Sequence, residues 1–342
     1  MPRALTGLLF AALLAGCAGT DEAAPPAPEP EGIAGVDSAA EARARELQTA
    51  GEHEAALKAF RELASQSGGE RSRRAEFLFL AAESALALEE FNQAYELFVS
   101  FIRRFPDSPR YPEAIERVFI IGRAFCEGRA TKPSWLLGIS MTDREFGVEL
   151  LTAFQQAREQ HPLADDALHH VAEAQLALNE HELAIATWEK LGALYPDREL
   201  VDTAEFRSAQ AFIEMSRGVE YDKRPLHTAL SRLRRYVKSH PTGSHFQEAQ
   251  EEIRGLEELL GGHELDVAAF YRRRDRNYAA RLYQESVLRD YPGTEAAAEA
   301  QRERDRLPAT SPPPPPPEPA DEGYLRLGEP LPPELPEPVP ID

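Results

Sequence analysis

The stretch ADDALHHVAEAQLALNEHELAIATWEKLGALYP, residues 164–196, decides the fold of this chain. Its apolar residues recur every three or four positions, which is typical of amphipathic helices and not of strands. The pattern breaks at Asn179-Glu180, resumes at His181 and stops at Pro196, because proline disfavours the helical conformation of the residue before it. The stretch therefore predicts two consecutive helices joined by a short turn.

The second of these helices shares a spacing pattern with other parts of the chain. Five prolines follow an aromatic residue or a histidine: Pro106, Pro162, Pro196, Pro241 and Pro292. Twelve residues earlier the chain carries Ala94, Leu150, Ala184, Ala229 and Ala280, small in four of five cases. Eight residues earlier it carries Phe98, Phe154, Trp188, Leu233 and Gln284, with Tyr283 beside the one polar exception. Positions four apart share a helix face, so the pattern predicts a repeated helix-to-helix contact.

The spacing of the prolines indicates the type of repeat. Pro162 and Pro196 are 34 residues apart, which is the tetratricopeptide period, whereas the other intervals are 45, 51 and 56 residues. We therefore predict an all-α, right-handed solenoid of about five to six tetratricopeptide-like helix hairpins. The expected pairs span roughly 40–68, 70–106, 111–162, 164–196, 200–241 and 246–292, with a short capping helix over 295–306.

The N-terminus has the charge-then-apolar layout of an export signal. Its first 17 residues are MPRALTGLLFAALLAGC, and Leu14-Ala15-Gly16-Cys17 resembles the lipobox of bacterial lipoproteins. That resemblance implies removal of residues 1–16 and a lipid anchor on Cys17, acylated with chains such as palmitate. Ala18 follows the cysteine where an aspartate would be the sorting signal for retention, which by analogy with enterobacterial lipoproteins predicts the periplasmic face of the outer membrane. We expect 17–38 to be a flexible linker, 39–307 the solenoid, and 308–342 a disordered, acidic, proline-rich tail.

The sequence GHELDVAAFYRRRDRNYAARLYQESVLRDYPGT, residues 262–294, resembles the BamD family of outer-membrane assembly lipoproteins. The resemblance implies a non-catalytic scaffold without a cofactor. Its N-terminal repeats, 47–111, would bind unfolded outer-membrane proteins, and its C-terminal repeats would dock the β-barrel insertase. The candidate partner-binding residues are Phe270, Tyr271, Arg274, Tyr278, Arg281, Tyr283 and Trp135. Tyr283 replaces an arginine that this family uses in docking, and Arg281 lies on a different helix face.

Two further features leave alternatives open. Trp135 lies in an insertion, 128–142, and either packs on the solenoid or meets a partner. The basic runs 232–238 and 271–276 are either solvated helix faces or a docking patch for an acidic partner or a lipid headgroup.

Composition restricts the remaining functions. With 38 Lys and Arg against 58 Asp and Glu, the chain carries a net charge of −20, which argues against a nucleic-acid partner. The sequence lacks a phosphate loop, a G-x-S-x-G elbow and a C-x-x-C pair. A general periplasmic scaffold for cell-wall, division or secretion complexes is the main alternative. An envelope hydrolase or metal enzyme using the cluster His169–Glu173 is the second, and Cys126 is expected to be a buried apolar residue.

Overall fold

The computed structural model describes residues 38–67, 70–130 and 143–306. Within these ranges the chain forms thirteen α-helices and no strand, which confirms the predicted all-α fold. No helix of the described part is long and apolar enough to cross a bilayer. The signal peptide, Cys17, Trp135 and the proline-rich tail lie outside the described residues, so the expectations attached to them stay predictions.

The helices follow one another with short connections. Their bounds are α1 Ser38–Thr49, α2 His53–Gln66, α3 Arg71–Ala87, α4 Phe91–Arg104, α5 Tyr111–Cys126, α6 Asp143–Ala157, α7 Ala164–Ala177, α8 His181–Leu194, α9 Leu200–Met215, α10 Arg224–Ser239, α11 Phe246–Arg272, α12 Asn277–Asp290 and α13 Glu295–Arg304. Taken in order, they are the six predicted helix pairs and the short helix after them.

The chain divides into two compact units, one up to Leu256 and the other from Glu257 onward, so that α11 contributes to both. In the first unit each helix from α1 to α9 packs against the next one. Helix α7 also contacts α5 and α9, which are its neighbours two helices away. In the second unit α12 packs against α13. Such packing between successive hairpins is the arrangement of tetratricopeptide repeats.

The repeated pattern of small and bulky residues forms the interior. The five residues at the small position and the five at the bulky position are all buried, with exposed fractions of 0 to 3 %. Ala56 and Phe60 on α2, which continue the pattern, are fully buried as well. Gln284 is buried at the bulky position of α12, whereas its neighbour Tyr283 is only half-buried. The side chain of Tyr283 is therefore available for a contact outside the core.

The helices before the prolines end in a common way. At Phe105, Tyr195, His240 and Tyr291 the backbone N–H still donates to the carbonyl four residues earlier, at 2.8 to 3.0 Å, before the proline ends the helix. Helix α6 differs, because it ends at Ala157, five residues before Pro162. There the chain turns early, with the His161 N–H donating to the Arg158 carbonyl and the His161 ring packing edge-on against Phe154.

Four of the turns between helices share one backbone conformation. Gly51, Glu89, Asn179 and Asp275 have φ of 80°, 56°, 60° and 55°, and each lies two residues before the next helix begins. This is the left-handed region, which glycine adopts without strain and other residues adopt at a cost. The repeat therefore imposes the same turn geometry even at the three positions that carry Glu, Asn or Asp in place of glycine.

Candidate partner-binding surfaces

Four of the predicted partner-binding residues come together in the second unit. Tyr271, near the end of α11, stacks on Tyr283 of α12, with ring centroids 5.6 Å apart and planes at 13°. The Phe270 ring stands perpendicular to Tyr271 at 5.4 Å, and the Arg274 guanidinium lies 3.6 Å above the Phe270 ring. We call Phe270, Tyr271, Arg274 and Tyr283 the aromatic–arginine cluster. Such stacked and cation–π contacts hold large side chains in place at a surface.

The turn after α11 presents this cluster to solvent. The N–H groups of Arg274 and Arg276 both donate to the Tyr271 carbonyl, each at 3.1 Å, and Asp275 takes the left-handed conformation between them. Phe270 is 41 % exposed, although a large apolar side chain is normally covered. A partner that covered this ring would gain apolar burial at an already ordered surface.

The arginines beside the cluster differ in their electrostatic partners. Arg272 pairs with Glu303 of α13, and Arg289 pairs with Asp290 at 2.8 Å. Arg273, Arg274 and Arg276 are exposed, and none of the three has an ion-pair partner within the described part of the chain. The edge of the cluster therefore carries three positive charges on a chain whose net charge is −20.

Two further predicted binding residues lie on α12. Tyr278 and Arg281 are both half-buried on α12, and Arg281 is two positions from Tyr283, which places it on a different face of the helix as the sequence indicated. Trp135 lies in the range 131–142, outside the described residues. Four of the seven predicted binding residues thus lie together in the structure.

A second candidate surface lies within the predicted client-binding repeats. A cleft of about 350 Å³ opens between the start of α3 and the turn after α4. Its lining residues are Arg71, Ser72, Ala75, Glu76, Phe105, Asp107, Ser108 and Pro109. The Arg71 guanidinium lies 5.6 Å from the Phe105 ring centroid and donates to the Arg104 carbonyl at 2.8 Å. The cleft therefore combines an aromatic wall with charged groups of both signs.

One wall of this cleft is fixed by an ion pair. Arg110 donates to both carboxylate oxygens of Glu76, at 2.8 and 3.1 Å, and its guanidinium lies 4.8 Å above the Phe79 ring. The hydrogen bond to Glu76 raises the pKa of Arg110 above its ordinary value. A two-point contact of this kind fixes the orientation of both side chains.

The pair Arg110–Glu76 belongs to a set that sequence reasoning missed. Arg117 binds Glu83 and Arg207 binds Glu173 in the same two-point manner, and in all three pairs the partners are 34 residues apart. Arg110, directly before α5, and Arg117, within α5, both bind glutamates of α3. Arg207 of α9 binds a glutamate of α7. A search for oppositely charged residues separated by the repeat length would have found them, because equivalent helices of neighbouring repeats face each other.

In the acid and histidine cluster on α7, Glu173 has a structural partner. Arg207 binds Glu173 through both carboxylate oxygens, at 2.7 and 2.6 Å. Burial lowers the pKa of His169, and it lowers the pKa of His170 to about 4, with the neighbouring His169 adding to the shift. In the described residues no group of three or more His, Cys, Asp or Glu side chains has a geometry suited to a metal ion.

Cys126 and the first basic run are also placed by the structure. Cys126 is buried at the end of α5, and burial raises the pKa of its thiol to about 12, as expected for an apolar residue that does not react. In the run 232–238 of α10, Arg232 pairs with Glu189 at 2.5 Å and its guanidinium lies 4.7 Å above the Phe212 ring. Arg232 therefore connects α10 with α8 and α9.

Comparison with known proteins gives matches to two families and one curated relative. Residues 146–303 match the family described as outer membrane lipoprotein (YfiO), and residues 76–108 match a tetratricopeptide repeat family. Over 191 residues the chain is 23 % identical to the outer membrane protein assembly factor BamD of Caulobacter vibrioides. This alignment covers 52 % of the present chain and 63 % of the relative, so the chain spans less than two thirds of that protein's length. The family match includes the whole aromatic–arginine cluster.

Two solved structures also match the chain, and one of them is a tetratricopeptide protein. TTC0263, a thermophilic tetratricopeptide protein of Thermus thermophilus, is 16 % identical, with a TM-score of 0.32 and coverage of 63 % of this chain and 97 % of that one. The apo form of RapI is 14 % identical, with a TM-score of 0.24 and coverage of 77 % and 74 %.

Proposed function

From the premise that this chain is a BamD-like tetratricopeptide-repeat protein, we propose that it is a non-catalytic scaffold in the assembly of outer-membrane proteins. The main support for this proposal is the match of residues 146–303 to a family of outer membrane lipoproteins. The similarity to a curated outer membrane protein assembly factor also supports it.

In the proposed mechanism the two candidate surfaces have different partners. The aromatic–arginine cluster docks the β-barrel insertase, since partly exposed aromatic and arginine side chains are the residues on which binding energy concentrates at interfaces. The cleft between α3 and α4 receives an extended segment of an unfolded outer-membrane protein. Such segments alternate apolar and polar residues, which suits a cleft with one aromatic wall and polar groups around it.

Copurification tests the docking step. The full-length tagged protein is recovered from solubilised envelopes, and the amount of coeluting insertase is measured for the wild type, Tyr271→Ala and Arg274→Ala. We expect each substitution to lower the recovered insertase by about tenfold, the loss that follows from removing one residue important for binding. Tyr221→Ala and Arg254→Ala are matched controls, because both replace exposed residues far from the cluster in sequence. Recovery of peptidoglycan enzymes without insertase would instead support the general periplasmic scaffold.

A binding assay tests the cleft. The purified protein is titrated into a labelled peptide that corresponds to one barrel strand, and fluorescence anisotropy is recorded. Arg71→Ala removes the guanidinium that lies over Phe105, so we expect binding to weaken by about tenfold. Lys58→Ala, an exposed change on α2, should leave binding unchanged. Equal binding by all three proteins would assign the client to another surface.

Lipidation at Cys17 is the third part of the proposal. In cells fed radioactive palmitate, the wild-type protein should incorporate label and sediment with outer membranes, whereas Cys17→Ser should do neither. One acyl chain gives only weak membrane binding, so stable anchoring needs several chains on this residue. Label that persists in Cys17→Ser would contradict the assignment.

A further inference from the structure

The aromatic–arginine cluster has the chemistry to bind an acidic, proline-rich segment. Two stacked tyrosines and a partly exposed phenylalanine provide flat aromatic surfaces, and Arg273, Arg274 and Arg276 provide three charges without ion-pair partners among the described residues. Proline-rich segments in the polyproline II conformation dock onto aromatic surfaces of this kind at a low cost in conformational entropy.

A segment with this composition follows directly in the same chain. Residues 312–322 read PPPPPPEPADE, which joins a run of six prolines to Glu318, Asp321 and Glu322. Between residues 307 and 342 there are seven acidic side chains and one arginine. The segment therefore complements the cluster both in its prolines and in its charge.

The described part of the chain ends beside the cluster. Glu303, near the end of α13, pairs with Arg272, the residue after Tyr271. The other carboxylate oxygen of Glu303 accepts a hydrogen bond of 3.4 Å from Gln284, the residue after Tyr283. Both members of the stacked tyrosine pair are thus adjacent in sequence to a residue that contacts Glu303. Only the four residues 304–307 separate this contact from the start of the tail.

The distances allow the tail to reach the cluster. The five residues 307–311 span up to about 17 Å when extended, which exceeds the roughly 10 Å diameter of a helix with its side chains. The six prolines that follow cover about 19 Å in polyproline II form. The prolines can therefore lie along the tyrosine pair and bring the three acidic residues to the arginines.

We propose that residues 312–322 bind the aromatic–arginine cluster of the same molecule. The prolines pack on Tyr271 and Tyr283, and the carboxylates of Glu318, Asp321 and Glu322 pair with Arg273, Arg274 and Arg276. The tail and the insertase then compete for one surface. This regulatory consequence rests on the proposed docking function, whereas the binding of the tail is a property of the isolated protein and is tested on it alone.

Photo-crosslinking within the purified full-length protein tests the proposal. A benzophenone amino acid replaces Ala320, the residue between Pro319 and Asp321, and the crosslinked peptides are identified by mass spectrometry. We expect the main crosslinks to fall within residues 270–283. An equal mixture of ¹⁵N-labelled and unlabelled protein distinguishes the two possible geometries, because an intramolecular contact gives no crosslinked pair of mixed mass.

Charge variants complete the test. We expect R273E/R274E/R276E to lower the crosslink yield by about tenfold, since three exposed ion pairs are replaced by repulsion. The conservative R273K/R274K/R276K should keep the yield within about twofold, and R254E, an exposed change earlier on α11, should leave it unchanged.

The variant E318Q/D321N/E322Q alters no described residue, so it reports on the contact even if the arginine variant fails to fold. Its yield should fall in parallel with that of the arginine variant. Crosslinks outside 270–283, crosslinks of mixed mass, or a yield indifferent to these charges would overturn the proposal.

Discussion

Arg207 on α9 donates hydrogen bonds of 2.7 and 2.6 Å to the two carboxylate oxygens of Glu173 on α7, which lies 34 residues earlier. Arg110–Glu76 and Arg117–Glu83 repeat this bond at the same spacing. The contact belongs to the repeat and not to one site, because it joins the equivalent helices of neighbouring hairpins.

The geometry of this bond yields a stability prediction. Arg207→Lys keeps the charge but loses one of the two hydrogen bonds, so the free energy of unfolding should fall by about 1 kcal/mol. Arg289→Lys is the control, because Arg289 is exposed and pairs with its sequence neighbour Asp290, so this substitution should change stability by less than about 0.5 kcal/mol. Urea denaturation followed by circular dichroism measures both. Equal effects of the two substitutions would contradict a structural role for the spacing.

Two glycine substitutions should have opposite effects on stability, because Gly51 has a left-handed backbone conformation and Gly192 lies within a helix. Gly51→Ala places a side chain at φ of 80° with no atom nearby, so it should destabilise the protein by about 1 kcal/mol through the backbone alone. Gly192→Ala lies within α8, again with no atom nearby, and should stabilise by about 0.5 kcal/mol through helix propensity. Thermal denaturation of both variants checks the signs. A stabilising Gly51→Ala would refute the role assigned to the turn.

The small position of the repeat predicts a third pair of effects. Ala56 is fully buried on α2 and its neighbour Ala55 is exposed. Ala56→Leu forces extra volume between packed helices and should cost about 2 kcal/mol, whereas Ala55→Leu should change stability by less than about 0.5 kcal/mol. Both variants are compared by urea denaturation. A tolerated leucine at position 56 would mean that close helix approach does not depend on the small residue.

The low pKa of His170 predicts acid sensitivity. Burial favours the neutral ring in the folded state, so its contribution to stability is complete above the unfolded value of 6.5 and is lost as the pH falls toward about 4. The ring faces His169, Glu127, Arg123 and Glu173, and it packs against Phe119. His170→Phe should therefore reduce the loss of stability between pH 6.5 and 4 by about 2 kcal/mol, allowing for solvent near the partly exposed ring.

Urea denaturation at several pH values measures this effect. His227→Phe serves as its control for the loss of a histidine, because His227 is exposed on α10. An unaltered acid profile for His170→Phe would show that other groups account for the sensitivity.

The helices and their interior were predictable because both depend on local pattern. Residues twelve and eight positions before each proline are four apart, so they lie on one face of the helix. A face that carries both a small and a bulky apolar residue packs against a neighbouring helix, and this can be predicted without knowing which helix the neighbour is. The end of α6 was not predictable in the same way. Pro162 sets only the last position that a helix can reach, and the packing of His161 on Phe154 ends it earlier.

The candidate site was predictable only in part. The resemblance named Phe270, Tyr271, Arg274 and Tyr283, but it does not indicate that Tyr271 and Tyr283 stack, since this depends on how α11 meets α12. The sequence likewise does not indicate that Gln284 is buried and that its neighbour Tyr283 is only half-buried. Burial of Gln284 is supported by its hydrogen bond to Glu303, a residue of the following helix.

The bond between residues 34 positions apart also affects how such a chain can change during evolution. The two partners occupy the equivalent position of successive repeats, with glutamate in one and arginine in the next, so duplication of one whole repeat would place two like charges opposite each other at the new junction. A shorter insertion between such partners would separate them, and the tolerated places for new sequence are therefore the connections outside these pairs, such as the one between α5 and α6.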